Sequence, residues 1–488
     1  MRKKHLWLLA AALLILSSCS KNKGDTWNPT SEADLSGHTF VTIAGSYYDS
    51  KYSSQEGLTA FLVNSDADAI QAVVGGNADV LITDEVSVNA EVQKRMGLRK
   101  AFSSTEAFPC AIAFPKGDDE LLPAFNEFLS MMRTDGTLDA YVRYWMEGGE
   151  PVPYPEPSPI RDSSPIRQMT GITVAPISYL ENGEWTGLDV DIVRRFAAWY
   201  GRPLEVTPIA LASAIVALQT GQADMVTANL FITEERKERV SFSEPYFYCH
   251  PGFFVRDTGS IKEGTFLSRT KDSFTRSFLV EKRWKLITDG LLVTIIITLL
   301  SILLGTVLGV GVCALSMSRR KWARSIAGAY DFLMQGIPMV VLLLIMFYVV
   351  FAGSGVSALW VAVITFALNF ASSAGGVFRQ SVGAVPRGQW EAGYALGFTG
   401  AQTFRGIIFP QALRSGLPPF TGHCVSLLKG TSIVGFIAVQ DLTRASDLLR
   451  SRTFEAFMPL LIITVLYFLL AWVIRALLNL ALPVKRHD

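Results

Sequence analysis

Apolar positions follow two regimes along the chain. Between 286 and 482 they run together in five stretches, roughly 287–316, 326–352, 357–380, 417–440 and 456–482. Most of these are long enough to cross a hydrocarbon core of about 30 Å as helices. Between 20 and 280 the apolar residues come in short groups with the periods of strands and amphipathic helices. Strands are predicted at Thr39–Ala44, Val80–Thr83, Cys110–Phe114, Ile172–Ala175, Leu204–Thr207 and Met225–Ala228. Helices are predicted at Leu121–Met132, Leu138–Trp145, Leu188–Tyr200 and Ala212–Thr220, with another ending at Ile70–Val74 before Gly75 and Gly76. Strand–helix alternation of this kind argues an α/β sheet domain. One stretch echoes another: 68–80 and 213–225 both read helix, glycine turn, aspartate (Asp79, Asp224), strand. Two similar α/β lobes are the simplest account. The pattern therefore predicts a two-lobed α/β domain followed by an all-α membrane domain of five transmembrane helices.

Proline interrupts the soluble half. Pro151, Pro153, Pro155, Pro157, Pro159 and Pro165 fall between Glu150 and Pro165 and predict an extended linker. The start of the chain reads as a targeting segment. Arg2, Lys3 and Lys4 precede an apolar stretch from Leu6 to Leu16, too short for a spanning helix and suited to a signal peptide. It ends Leu16-Ser17-Ser18-Cys19, which resembles the lipobox of bacterial lipoproteins and implies lipidation of Cys19. Export of the soluble half and basic loops inside agree. Arg319, Arg320, Lys321 and Arg324, then Arg387, Arg405 and Arg414, then Lys485 and Arg486 all fall on the inner side if the first span enters from outside. Arg444, Arg450 and Arg452 dissent: this topology places them outside, beside Asp441, Asp447 and Glu455.

Composition narrows the chemistry. Half of the 488 residues are hydrophobic, mean hydropathy is +0.30 and net charge is +1 without a long basic run. Nucleic-acid binding has no electrostatic support. Five dispersed histidines and five dispersed cysteines form no disulfide framework and no metal-ligand spacing. No nucleophile–base constellation stands out, so an enzyme is not expected. A Gly-x-x-x-x-Gly-Lys-Ser/Thr phosphate loop is absent, so the chain is not expected to hydrolyse ATP by that route.

The loop between the third and fourth apolar stretches carries the most specific pattern: Glu391-Ala392-Gly393, then Gly397, then Ile407-Ile408-Phe409-Pro410. In these residues the chain resembles the polar-amino-acid permeases of ATP-binding-cassette importers, whose cytoplasmic loop begins Glu-Ala-Ala and ends Ile-x-Leu-Pro. Gly336-Ile337-Pro338, Pro386-Arg387-Gly388-Gln389-Trp390 and Leu427-Leu428-Lys429-Gly430-Thr431-Ser432 extend the resemblance over about 326–445. It implies a short helix, hinged by Gly397 and stopped by Pro410, that seats on a cytoplasmic ATPase subunit, with Glu391, Ala392, Gly397, Ile407 and Pro410 as the coupling residues. It also implies a permease homodimer in the bacterial inner membrane.

The soluble half resembles the matching periplasmic amino-acid-binding proteins. Gly187–Ile192, Ile232-Thr233-Glu234-Glu235-Arg236 and Phe242-Ser243-Glu244-Pro245-Tyr246 are similar to their first lobe. Ile112–Gly117 and Asp135-Gly136-Thr137-Leu138 are similar to their second lobe and tail, so the lobe order is expected to be permuted. The resemblance implies that Arg236 grips a ligand carboxylate, that Asp84 takes its ammonium, and that Gly45 and Ser46 join the ligand site. Leu211 and Phe231 replace the family's aromatic and hydroxyl contacts, so binding of a standard amino acid is expected to be weak. The permutation further predicts that strands near Cys110–Phe114 and Tyr246–Phe254 lie side by side, with Cys110 and Cys249 near but out of disulfide register.

These readings divide the chain into a lipoprotein signal peptide (1–19), a tether (20–33), a second-lobe-like segment (34–149), the Pro-rich linker (150–167), a first-lobe-like segment (168–258), a connector (259–286) and a permease domain (287–488) with a coupling loop at 387–412. The function expected is the permease subunit of an importer for amino acids or related small polar solutes. The alternative is a ligand-gated channel or sensor built on a glutamate-receptor-like binding domain. A Thr-Val-Gly-Tyr-Gly filter run is absent, and only Lys485-Arg486-His487-Asp488 follow the last span, too few for an output domain.

Overall fold

The structure is a computed structural model and describes residues 27–171, 175–181, 184–209, 211–257, 271, 273–455 and 457–481. Cys19 with the expected signal peptide, tether residues 20–26, the first three residues of the expected strand (172–174), residue 258, part of the expected connector (259–270 and 272), and Lys485 and Arg486 lie outside these residues.

In chain order the soluble half forms β1 (Thr39–Ile43), α1 (Tyr47–Tyr52), β2 (Thr59–Val63), α2 (Asp66–Val74), β3 (Val80–Asp84), α3 (Ala90–Met96), β4 (Leu98–Ser103), β5 (Phe108–Phe114), α4 (Leu121–Thr134) and α5 (Thr137–Glu147). It continues with β6 (Ile166–Thr170), β7 (Tyr179–Glu181), β8 (Glu184–Thr186), α6 (Leu188–Tyr200), β9 (Leu204–Pro208), α7 (Leu211–Gln219), β10 (Met225–Phe231), α8 (Glu234–Arg239), β11 (Ser241–Phe242), β12 (Phe247–Cys249) and β13 (Pro251–Arg256).

Two sheets make two lobes. Lobe I has the order β2-β1-β3-β13-β4 and lobe II the order β11-β5-β10-β6-β9, with β12 also on β5. In each sheet one strand comes from the other half of the soluble chain. β13 runs antiparallel between β3 and β4, and β5 runs antiparallel between β10 and β11. The chain crosses between lobes at 104–107 and at His250, and the crossings touch: Ser104 N–H donates to Pro251 O at 2.9 Å. β12 pairs with β5 in the register Phe247↔Cys110 and Cys249↔Phe108, so the two cysteines are offset, buried and free. The segment 34–149 is therefore not one spatial lobe. Residues up to Ser103 build lobe I, and β5, α4 and α5 cover lobe II, because a crossing strand must carry its following helices to the sheet it joins.

The sequence echo is a structural one. β2-β1-β3-β13 matches β9-β6-β10-β5 position for position. The aspartate after each glycine turn does the same job: Asp79 Oδ2 accepts from Thr39 N–H at 2.8 Å, and Asp224 Oδ2 accepts from Arg167 N–H at 2.9 Å. Each carboxylate fixes the start of the neighbouring parallel strand.

Three expectations shift. The strand expected at Ile172–Ala175 falls largely outside the described residues, and the strand described before it is β6 at Ile166–Thr170, its first two residues inside the expected linker. Its alternation was masked because Gln168 and Thr170 are fully buried polar residues, Gln168 Nε2 donating to Thr227 Oγ1 at 2.8 Å. The linker itself lies pinned on α6: Arg195, paired with Asp191 at 2.9 Å, donates to the carbonyls of Pro153 and Val152 at 2.7 and 2.8 Å. The last residues of the expected tether are also docked. Trp27 stacks on His38 with ring centroids 3.9 Å apart, and Arg99 holds the Trp27 carbonyl and the Asn28 side chain.

The apolar half forms α9 (Trp284–Ser316), α10 (Lys321–Gly336), α11 (Met339–Ile345), α12 (Ala358–Gly383), α13 (Arg387–Ala395), α14 (Gly400–Thr403), α15 (Phe409–Gly430), α16 (Leu442–Thr453) and α17 (Phe457–Ala481). Among the described residues four helices are long and apolar enough to cross a membrane: α9, α12, the run Gly400–Ile437 and α17. The second expected span is bent by 105° between α10 and the run Met339–Val350. Pro338 has no N–H to donate and forces Ile337 out of helix to φ −96°, ψ 127°. α9 and α12 run in the same direction, with Ser301 bonded to Val363 O and Gly305 and Gly309 packed on Ala367 and Ala371. α15 runs against α12, pairing Gly416 with Ser381 and Phe420 with Phe378.

Candidate functional site

The two sheets face each other across a cleft lined from lobe I by Thr42, Ser46, Tyr48 and Asp84 and from lobe II by Leu211, Asn229, Phe231 and Arg236. Asp84 and Arg236 therefore share one cleft. Asp84 ends β3 and is buried; its Oδ1 accepts from Tyr48 Oη at 2.5 Å and its Oδ2 from Asn229 Nδ2 at 2.7 Å. Asn229 reaches it by a local distortion: in mid-β10 its φ is 48°, where the register of β10 on β5 shifts. Asparagine tolerates this left-handed conformation better than most side chains. The amide of lobe II thus occupies the carboxylate of lobe I.

Arg236 follows the Thr233 N-cap of α8. Its guanidinium donates to Phe231 O at 3.1 Å and to Gly45 O at 3.3 Å, bridging the lobes through backbone carbonyls. The neighbouring carboxylates take other partners, Glu234 with Lys237 and Glu235 with Arg239. Burial lowers the Arg236 pKa, opposed by Glu235. Gly45 (φ 75°) contributes this carbonyl, while Ser46 Oγ caps α1 by accepting from Asp49 N–H at 3.2 Å. Phe231 stacks on Phe108, 5.1 Å between centroids, with Tyr47 and Tyr48 edge-on to it. The space left among these groups is about 40 Å³, enough for a few waters.

Two further buried carboxylates stand at the cleft, Asp66 in its lining and Asp189 beneath it. Asp66 accepts from Thr83 Oγ1 at 3.2 Å, and burial followed by the nearby Asp84 raises its pKa to about 6. Asp189 is fully buried, accepting from Tyr246 Oη and from Asn229 N–H; burial raises it to about 6. Burial also raises Asp84, against the pull of Tyr48 and Asn229. Tyr48, Asn229 and Asp189 were not singled out from sequence. Asp189 lies in the Gly187–Ile192 motif; nothing in the local sequence marks Asn229, because its role depends on a backbone distortion.

A second candidate surface is at the other end of the membrane half. α12 is 26 residues long, about 39 Å at 1.5 Å per residue. Its start is near the contact of Gln222 with Phe347 O, and its end leads into α13. Glu391 and Ala392 are exposed on α13, and Gly397 turns the chain at φ 79°. Tyr394, Leu396 and Phe398 stand exposed around the turn. Gly393 is buried against Thr403; a Cβ there would lie 2.7 Å from Thr403 Oγ1. Ile407, Ile408, Trp390 and Phe404 anchor this knob on Val385 and Ala412. Pro410 does not stop a helix. It stands at the beginning of α15, which continues from a π turn at Phe404–Ile408, and the wider turn accommodates a residue without an N–H.

Comparison with known proteins assigns both halves. The profile of bacterial extracellular solute-binding proteins, family 3, matches residues 166–430, more than half of the chain. Its first part takes in β6 to β12 of lobe II and β13 of lobe I, and the remainder runs on into the membrane helices. The L-cystine transport system permease protein TcyB of Bacillus subtilis is 34% identical over 199 residues, covering 40% of this chain and 83% of that protein. The histidine/lysine/arginine/ornithine transport system permease protein HisQ of Salmonella typhimurium is 29% identical over 219 residues, 41% of this chain and 96% of that protein. A crystal structure of an amino acid ABC transporter with histidines matches at 30% identity and a TM-score of 0.38, over 45% of this chain and 98% of that one. The chain belongs to the bacterial extracellular solute-binding proteins of family 3, joined in one polypeptide to a membrane permease of the amino-acid ABC transporter kind.

Proposed function

We propose that this chain imports amino acids as one half of a permease homodimer, driven by a separate cytoplasmic ATPase that binds ATP and Mg. The observation that carries the reading is the exposed knob of α13 and the Gly397 turn, held rigid at its base and placed at the opposite end of the bundle from the binding lobes. A permease driven by a separate motor needs such a surface, and in the relatives' resemblance Glu391, Ala392, Gly397, Ile407 and Pro410 form it. The binding lobes then face the extracytoplasmic side, tethered through a lipidated Cys19. The relatives carry different amino acids by name, so the solute class is set more broadly than any one of them.

The lobe order is permuted in this reading, with the Pro-rich linker joining what would be the ends of an unpermuted domain. The juxtaposed β5 and β12 and the shared cleft of Asp84 and Arg236 support it. The cleft binds amino acids weakly, because a ligand ammonium competes with Asn229 for Asp84 and a ligand carboxylate competes with two carbonyls for Arg236.

The test is reconstitution of the chain with its ATPase in vesicles. Glu391→Arg is expected to abolish transport-linked ATPase activity while membrane insertion stays intact. Unchanged activity would overturn the coupling role of α13.

A further inference from the structure

The three arginines that break the charge topology all lie on or beside one short helix, α16, and two of them reach the binding lobes. Arg450 forms an ion pair with Asp68 at the start of α2 in lobe I, and is steadied by Asp447 at 3.1 Å. Arg452 faces the two-stranded β7–β8 hairpin that leads into α6 of lobe II: it lies 3.8 Å from Glu181 and 4.3 Å above the ring of Tyr179, both on β7. The helix ends in a peg. Phe454 is 4% exposed and packs into the core of the soluble domain, its carbonyl held by Gln71 at 2.7 Å and its ring under the Arg95 guanidinium. Its φ is 55°, a left-handed conformation unusual for a bulky residue and sustained only where the surroundings demand it.

The same helix is built into the membrane bundle. Leu442 N–H donates to Thr294 Oγ1 of α9 at 3.0 Å, and Gly290 of α9 lies so close that a Cβ would come 2.7 Å from Asp441 O. Tyr467 of α17 bonds Thr443 Oγ1 at 2.9 Å and Asp441 Oδ2 at 3.1 Å.

We infer that α16 is the interaction surface through which the binding domain acts on its own permease half, with lobe I held by Arg450 and Phe454 and lobe II by Arg452. Because one rigid helix holds both lobes, the lobes cannot separate without releasing one grip. Each protomer then reads its own binding domain, without requiring a shared one. The outward arginines are the docking charges of this surface, balanced by Asp68, Asp447 and Glu181. The inference rests on the permease reading for its purpose but not for its test, which needs no ATPase.

The experiment is hydrogen exchange on the full chain in lipid nanodiscs. Arg450→Asp is expected to raise exchange about tenfold in residues 66–74 and, through α16, in residues 284–294. Arg450→Asp combined with Asp68→Arg should return both regions to wild-type protection. Arg452→Asp should act likewise on 175–181 and 284–294, with Glu181→Arg as the restoring partner. Phe454→Gly, which removes the peg while relaxing its backbone, should match the first arginine variant. Loss of lobe protection with residues 284–294 unchanged in every variant would reduce the contact to a passive one and overturn the inference, as would charge swaps that fail to restore protection.

Discussion

Asp84 shows how one carboxylate can be both a candidate ligand group and a closure device. Its two oxygens are engaged by neutral donors, Tyr48 from its own lobe and Asn229 from the other. A ligand ammonium must displace the Asn229 amide, and hydrogen bonds to a charged group are worth about 1.5–3 kcal/mol. Asn229→Gly keeps the φ of 48° without strain and clears Asp84. Calorimetry on the full chain in detergent is expected to show amino-acid affinity at least about tenfold tighter in this variant. Equal affinity in both proteins would show that Asp84 is not the ammonium site. Asp84 and Arg236 were legible because each stands in a short motif whose spacing survives in the sequence. Asn229 was not, since its position depends on a β10 distortion set by β5, a strand about 115 residues earlier.

Among the elements, the α13 knob is the one whose chemistry the sequence shows most directly and whose geometry it shows least. Gly393 appears in the sequence as a mild departure from alanine. In the structure it is the contact that lets α13 lie on Thr403. Adding a methyl to a packed site costs typically 1–3 kcal/mol. Gly393→Ala is expected to loosen α13, seen as faster hydrogen exchange over 387–395, and to weaken ATPase coupling. Thr403→Ala in the same chain should restore both, because it removes the side chain the new methyl meets. The bend at Gly336–Pro338 and the π turn before Pro410 were hidden for a common reason. Proline marks a weak point in a helix, but whether the chain bends, widens a turn or stops depends on its packing partners.

At the scale of the whole molecule, the buried carboxylates set a pH dependence opposite to ordinary acid denaturation. Asp66 and Asp189 have folded-state values near 6 against 3.8 when exposed. The folded state therefore binds more protons between about pH 4 and 6, and stability rises as pH falls through that window and is lost as pH climbs through 6. Shifts of this size correspond to on the order of 2–3 kcal/mol per group. The Tm of the binding lobes, followed by tryptophan fluorescence, is expected to be higher near pH 5 than near pH 7.5. Asp189→Asn should flatten the difference; a Tm that simply falls with acid would contradict the assignment. The two-regime architecture was readable from apolar run length alone, and the paired lobes from the glycine–aspartate echo. The pairing of β5 with β12 followed from the permuted motifs, but the insertion of β13 between β3 and β4 did not, because its period and composition describe the strand without naming the sheet it enters.

That exchange bears on how the protein is made. β13 is an interior strand of lobe I, yet it is synthesised after all of lobe II and ends at Arg256, shortly before α9 begins. Lobe I thus waits, with an open gap between β3 and β4, until nearly the last residue of the soluble half has emerged. A nascent chain exposes an incomplete sheet edge for most of that time, the kind of edge that pairs with whatever strand it meets. Completion of the receptor and insertion of the first membrane helix are consequently near-simultaneous events in the life of each molecule, and a ribosome stalled anywhere before residue 251 leaves neither lobe pair nor pore.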